Sequence, residues 1–290
     1  QEARMSAKSD LVVKPILEAI KNGTAPWKKG WVSKGGMPMN HLSDYKYGIG
    51  NAVSCWVHNE KYGYTSNRYI SVSKAIKLGF KFKGEKGDPV RKTFPIYFYS
   101  KIERNEHTGE VTKPPFMIVT NTASIEQFEG IEDVKEPVFV HDGADLTPAT
   151  ELQVALGVKM REGEPSYRPL TDEVAMPDLC QFKTVKGYLS TMFHELAHST
   201  GHESRLKRDM TGRFGTPDYA FEELIAELSA VFLCAEHGID YDIEHHASYL
   251  EHWAKLLEDD SQKFVKASTA ANKVLDYCKQ AVSKEAKQAA

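Results

Sequence analysis

Apolar residues recur every three to four positions in two long stretches of the second half of the chain, and that spacing predicts two helices. The first, TVKGYLSTMFHELAHSTG, places Tyr188, Leu189, Met192, Phe193 and Leu196 at helical intervals, with Thr184 as its cap and Gly201 as its stop. The second, TPDYAFEELIAELSAVFLCAEHG, opens at Thr216 and Pro217 and closes near Gly238. It is largely apolar apart from Glu222, Glu223 and Glu227 in its first half and Glu236 and His237 at its end. Upstream, YRPLTDEVAMPD reads as a turn and a short strand, Glu173 to Met176, ended by Pro177. A strand directly before such a helix is a natural sheet edge for an extended peptide.

The first half is patterned differently. DLVVKPILEAIKNG predicts a helix through Leu11, Ile16, Leu17 and Ile20, capped by Asp10 and stopped by Gly23, with Pro15 awkwardly placed in its first turns. An irregular segment from Ala25 to Asn51, rich in Gly and Pro, follows. SVSKAIKLG predicts a short helix. FKFKGEKGDPVRKTFPIYFYS and FMIVTNTAS then predict short alternating strands of a small antiparallel sheet, which FMIVTNTAS finishes. The expected fold class is α+β in two domains: a small basic α+β domain over 5–128, a link over 129–148, and a mainly helical domain over 149–290.

Charge sharpens that division. The net charge of −3 conceals 20 Lys+Arg against 10 Asp+Glu in residues 1–118, and 17 against 30 in the remainder. The front also holds 15 of the 30 aromatic residues. Lysines and arginines track phosphates, and exposed rings stack on unpaired bases at about 1–3 kcal/mol each, so the front is a candidate for single-stranded nucleic acid. The candidate contacts are Trp27, Lys28, Lys29, Trp31, Lys34, Tyr45, Lys46, Tyr47, Arg68, Lys83 and Lys86. Alternation along a strand allows at most one of Tyr97 and Phe98 to serve as a platform. Four cysteines with no CxxC spacing read as buried thiols of a reducing cytoplasm. No apolar run approaches a membrane span, and the N-terminus has no secretory h-region.

The chemistry lies in His194-Glu195-x-x-His198. On a helix, residues four apart share a face, so the two imidazoles can converge on one divalent ion, zinc or alternatively manganese. Glu195 then sits beside the open position, where it can take a proton from an attacking water and hand it to a leaving group. Ser204 stands where a metzincin would carry its third histidine, so the third ligand is sought on the second helix. Glu223 is the preferred ligand, and Glu227 accepts from the outer ring nitrogen of a ligating histidine or, alternatively, takes the ligand position itself. Glu222 reads as solvent-exposed, His202 as a helix-end histidine bonded to backbone, and His245 and His246 as ordinary residues of the next helix. Tyr219 and Tyr249 could reach the site.

Taken together, APWKKGW, MPMNHLSDYKYGIGN, YGYTSNRYISVSKAIKLGFKFKGEKGDPV, YRPLTDEVAMPD, HELAHSTGHESRLKRD and YAFEELIAELSAVFL resemble the ArdC family of plasmid antirestriction proteins. The resemblance extends over nearly the whole chain and preserves the order of the blocks. It implies a front domain shared with TraC-type primases that binds single-stranded DNA, and a zincin-like metallopeptidase domain behind it. It also implies protection of incoming conjugative DNA from host restriction, with His194, Glu195 and His198 carried over directly and Glu223 at the gluzincin-like position. The protein substrate is unknown, with a component of the restriction-modification system as a candidate. The alternative is a DNA-binding antirestriction protein whose metal site is structural. No carboxylate cluster in the front half suits primase chemistry.

Overall fold

The computed structural model describes residues 2–23, 25, 27, 37–104, 108, 110–132, 145–242 and 247–289. Helix α1 (Glu2–Lys21) starts well ahead of Asp10, whose carboxylate instead accepts from the Ser261 hydroxyl, and it runs through Pro15. The face it buries is Val12, Val13, Ile16 and Ile20, while Leu11 points to solvent. Burying four such side chains, at about 1.5–3 kcal/mol each, outweighs the roughly 3 kcal/mol cost of an interior proline.

The front region continues with β1 (Met39–Asn40), α2 (Ile49–Tyr62), β2 (Arg68–Ser71), α3 (Val72–Lys77), β3 (Lys81–Phe82) and β4 (Phe94–Tyr99). It closes with β5 (Glu103–Arg104), β6 (Val111–Lys113), β7 (Met117–Ser124) and β8 (Phe128–Glu129). The principal sheet has the order β1-β2-β7-β4, so the FMIVTNTAS strand lies inside the sheet rather than at its edge. Only β1 and β2 are parallel; the other pairings of that sheet are antiparallel. Edge strand β4 is covered by α2. The Asn51 side chain accepts from the Tyr97 N–H at 2.9 Å and donates to the Tyr97 carbonyl at 2.7 Å, as a neighbouring strand would. Gly50 makes this approach possible, because a Cβ there would lie 2.3 Å from the Tyr97 hydroxyl.

The back region holds α4 (Thr147–Leu156), β9 (Lys159–Glu162), β10 (Ser166–Arg168), β11 (Glu173–Met176), α5 (Val185–Ser199), α6 (Pro217–Glu236), α7 (Ala247–Asp259) and α8 (Gln262–Ala289). Both long helices start where the sequence marks them, with the Thr184 and Thr216 hydroxyls accepting from Gly187 N–H and Tyr219 N–H. The small sheet has the order β10-β11-β9, which corrects one expectation: Glu173–Met176 is its central strand. Among the described residues, the edge strand beside α5 is the antiparallel β10.

The two regions share a core. Val13, Ile16, Trp27, Ile49 and Trp56 from the front pack in one cluster with Leu224, Phe232, Trp253, Leu257 and Phe264 from the back. Trp56 lies against Phe232 with ring centroids 5.2 Å apart. The cysteines are free, and Cys55, Cys234 and Cys278 are buried, but Cys180 is exposed, contrary to expectation. No helix among the described residues is long and apolar enough to cross a membrane.

Candidate metal centre

Helix α5 carries His194 and His198 one turn apart, and α6 crosses it carrying Glu223. The donor atoms meet. His194 Nε2 and His198 Nε2 are 3.1 Å apart, Glu223 Oε2 is 3.4 Å from His194 Nε2, and Glu223 Oε1 is 3.5 Å from His198 Nε2. A tetrahedral ion with ligands at roughly 2.0–2.2 Å separates its ligand atoms by about 3.3–3.6 Å. These edges, and a set of two imidazoles and one carboxylate gathered within 4.8 Å, fit a divalent cation.

Around this triad the charges are balanced by Glu222 and by Arg208, which the sequence did not bring forward. Glu222 is buried, which corrects its reading as solvent-exposed. Its Oε1 lies 3.1 Å from His198 Nδ1, so it orients the ring from behind. Arg208 grips Glu222 with a fork, Nε to Oε2 at 2.9 Å and Nη2 to Oε1 at 2.7 Å, and its Nη1 donates to Thr200 Oγ1. Burial would raise the Glu222 carboxyl, but the Arg208 and His198 hydrogen bonds outweigh it and hold it below the usual range. Gly201 makes room for this fold-back, since a Cβ there would stand 2.6 Å from Met210 Sδ and 3.1 Å from Arg208 Nη2. Carboxylates on an apolar helix demand nearby cations. The loop Arg205-Leu206-Lys207-Arg208 was the signal that could have located them.

Glu227 is fully buried and is not part of the triad. Its Oε1 accepts from Trp27 Nε1 at 3.0 Å and its Oε2 from the Tyr241 hydroxyl at 2.7 Å. Oε2 lies 3.8 Å from His194 Nδ1, beyond hydrogen-bond reach. Glu195 is buried beside the donors, and the Tyr167 backbone of β10 hydrogen-bonds it. Burial raises its carboxyl above the ordinary range, as suits a base. The Tyr219 and Tyr249 hydroxyls are 3.2 Å apart beside Glu223. Arg205 and the Tyr167 hydroxyl both bind Asp172, which fixes the turn between β10 and β11. His202 bonds Ser204 and stays outside the triad, and His245 and His246 lie outside the described residues.

Two hollows flank these residues. One of about 460 Å³ includes Phe182, Thr191 and Asp242, and one of about 260 Å³ includes Tyr167, Met210 and Tyr219. His194, Glu195, Glu223 and Tyr249 border both, so the donors sit mid-way along a cleft rather than at a dead end.

Burial opposes charge on the histidines, but Glu223, joined by Glu195 at His194 and by Glu222 at His198, outweighs it and raises both rings above the ordinary 6.5. Without metal this gain stabilises the fold below pH 6.5 and is lost as pH rises through the folded values. A bound ion needs neutral rings, so the sign reverses: metal affinity is expected to fall on acidification from above pH 6.5, with proton release on binding. Calorimetric titration of Zn(II) or Mn(II) in buffers of different ionisation enthalpy measures both effects.

The candidate DNA residues fare differently. Trp27 is 1% exposed and spent on Glu227, Tyr47 is 3% exposed, and Arg68 is buried against Asp44, so none of the three presents itself to a strand of DNA. Each is corrected to a core or internally paired residue. Tyr45, at 60% exposure, and Lys46, Lys83 and Lys86 are on the surface. Lys28, Lys29, Trp31 and Lys34 lie outside the described residues. Of the β4 pair, Tyr97 is buried and Phe98 is 38% exposed.

Fold and donor set define the class: a zincin-like metallopeptidase domain behind an N-terminal domain with its own sheet. Residues 148–270 match the zincin-like metallopeptidase family model, and residues 8–131 match that of the N-terminal domain of the anti-restriction factor ArdC. The chain belongs to the ArdC family of antirestriction proteins. It superposes on the metal-free crystal structure of ArdC from the R388 plasmid with TM-score 0.76 and 30% identity, covering 95% of this chain and 98% of that one. For the Mn(II)-bound form of that protein the values are 0.76, 29%, 94% and 97%. It is also 30% identical to DNA primase TraC of Escherichia coli over 92% of this chain, but it spans only 26% of that primase. Protein y4eC of Sinorhizobium fredii (strain NBRC 101917 / NGR234), itself uncharacterised, is 27% identical over 92% of this chain and 89% of its own length.

Proposed function

We propose that the chain is an antirestriction protein that binds single-stranded DNA through its front region and hydrolyses peptide bonds at the His194, His198 and Glu223 centre. The observation that carries the reading is the convergence of three metal-type donors with a buried carboxylate, Glu195, in a cleft open on both flanks. A divalent ion held there, zinc or manganese, would supply Lewis-acid polarisation of a carbonyl. The chain's own residues do the rest. Glu195 takes the proton of the attacking water and returns it to the departing amine, so the peptide bond is exchanged for a carboxylate and an amine. The Tyr219 hydroxyl, raised by burial and by its Tyr249 and Glu223 neighbours, stays protonated and can donate to the developing oxyanion. The edge strand β10, whose Tyr167 backbone meets Glu195, offers its remaining backbone groups to an extended substrate. Chelation should abolish cleavage of an unstructured protein such as casein, and Zn(II) or Mn(II) should restore it; cleavage in the presence of chelator overturns the reading.

For DNA the surface supports a revised contact set. Tyr45 and Phe98 are both exposed, each with its ring 6.4 Å from that of Tyr47, and the exposed Lys46 lies between Tyr45 and Tyr47 in the chain. Alanine at Tyr45 or Phe98 is expected to weaken oligonucleotide binding by about 5–100-fold, the range of one stacked base. Affinity should also fall steeply with salt. Fluorescence anisotropy of a labelled oligothymidylate measures both, and salt-independent affinity would sink the DNA half. A metal site with a purely structural role is the second reading, and it is tested by the Glu195 variant below.

A further inference from the structure

We propose that Trp27, contributed by the ArdC-type front region, is a positioning residue of the metal centre, acting through Glu227 on the imidazole of His194. The inference rests on the metal-binding part of the function proposed above, not on proteolysis. Trp27 and Glu227 are 200 positions apart in sequence, yet the indole Nε1 donates to Glu227 Oε1 at 3.0 Å in the core. The carboxylate has 0% exposure, and a site so enclosed is ordinarily filled by an apolar side chain. Its surroundings are built for it: Trp27 takes one oxygen and the Tyr241 hydroxyl the other, at 2.7 Å. That second oxygen faces His194 Nδ1 at 3.8 Å, on the side of the ring opposite the nitrogen that meets His198 and Glu223. The two ligating rings therefore face different carboxylates: His198 is bonded by Glu222, which Arg208 holds, and His194 has the charge of Glu227, fixed by Trp27 and Tyr241, 3.8 Å from its Nδ1. The first support is local to the α5–α6 hairpin. The second reaches into the front region, so the metal centre is completed by a residue outside the zincin-like segment, 148–270.

A neighbouring indole supplies the control. Trp253 lies 5.8 Å from Trp27 in the same core and is equally buried, but its Nε1 donates to the Ala220 carbonyl. In the full chain, Trp27→Phe keeps the aromatic body and removes the donor to Glu227. Its affinity for Zn(II) or Mn(II) is expected to drop about 3–10-fold, below the roughly 10–100-fold of losing a group that bonds a ligand directly. Trp253→Phe should leave affinity within about twofold, and the Co(II) absorption spectrum should shift only in the Trp27 variant. Should Trp27→Phe not fold, the wild type still decides: the assigned Trp27 indole N–H resonance must move on titration with Zn(II) by more than that of Trp253. Wild-type affinity in Trp27→Phe, equal losses in the two variants, or an unmoved Trp27 resonance overturns the inference while leaving the metal centre standing. A wild type that binds neither ion overturns the proposed function together with it.

Discussion

Glu195→Gln is expected to lower peptide hydrolysis by about 10²–10⁴-fold, the range of a general acid–base group, without loss of metal. The side chain is buried beside the donors but contributes no atom to the triad. Glutamine preserves its volume and can still accept from the Tyr167 backbone, while it cannot take the proton of an attacking water. Neutralising a buried carboxylate whose burial already opposes its charge should leave the fold at least as stable. The decisive experiment pairs turnover of a quenched fluorescent peptide with metal content by mass spectrometry. Retained turnover in a fully loaded variant would remove Glu195 from the mechanism. The same variant separates the two readings of the metal site. If it has lost turnover yet still protects DNA entering a restricting host, proteolysis is dispensable and the protection comes from binding; a wild type with no turnover to lose would leave the ion a structural role.

The helices that bear the donors were legible because local signals and burial agree there. Thr184 and Thr216 cap them, and His194, His198 and Glu223 fall on facing stripes. Helix α2 was not legible. IGNAVSCWVHNEKY mixes asparagines, β-branched residues and a tryptophan, and it is buried on nearly every side, so neither propensity nor a polar stripe announces it. The same limit explains the DNA candidates. Basic and aromatic residues alternate in the sequence whether a ring faces solvent, as Tyr45 does, or core, as Tyr47 does. Trp27 and Glu227 each stand out in the sequence for a different reason, and their pairing shows only in a contact spanning 200 positions. Glu222 failed for a related reason: a charged residue beside a ligand reads as exposed until the arginine that neutralises it is found 14 positions away.

Arg208→Ala tests that neutralisation and should be the most destabilising single change near the site. Both partners of the pair are nearly buried, with side-chain exposures of 11% and 9%. Removing one member of such a pair costs about 3–5 kcal/mol, because the other is left charged and undersolvated. The Ala197 carbonyl and the Thr200 hydroxyl at the end of α5 lose a donor at the same time. A melting temperature lower by about 5–8 °C follows from typical unfolding entropies. Metal affinity should fall as well, since Glu222 is what holds His198 Nδ1. Arg208→Lys keeps the charge but not the two-pronged grip and should land between wild type and alanine. Adding Glu222→Gln to Arg208→Ala removes the stranded charge and should recover part of the stability but not the metal affinity, because the amide no longer backs the ring as an anion. If calorimetry finds the two losses simply additive, the arginine and the carboxylate act independently, and the relay from Arg208 through Glu222 to His198 is wrong.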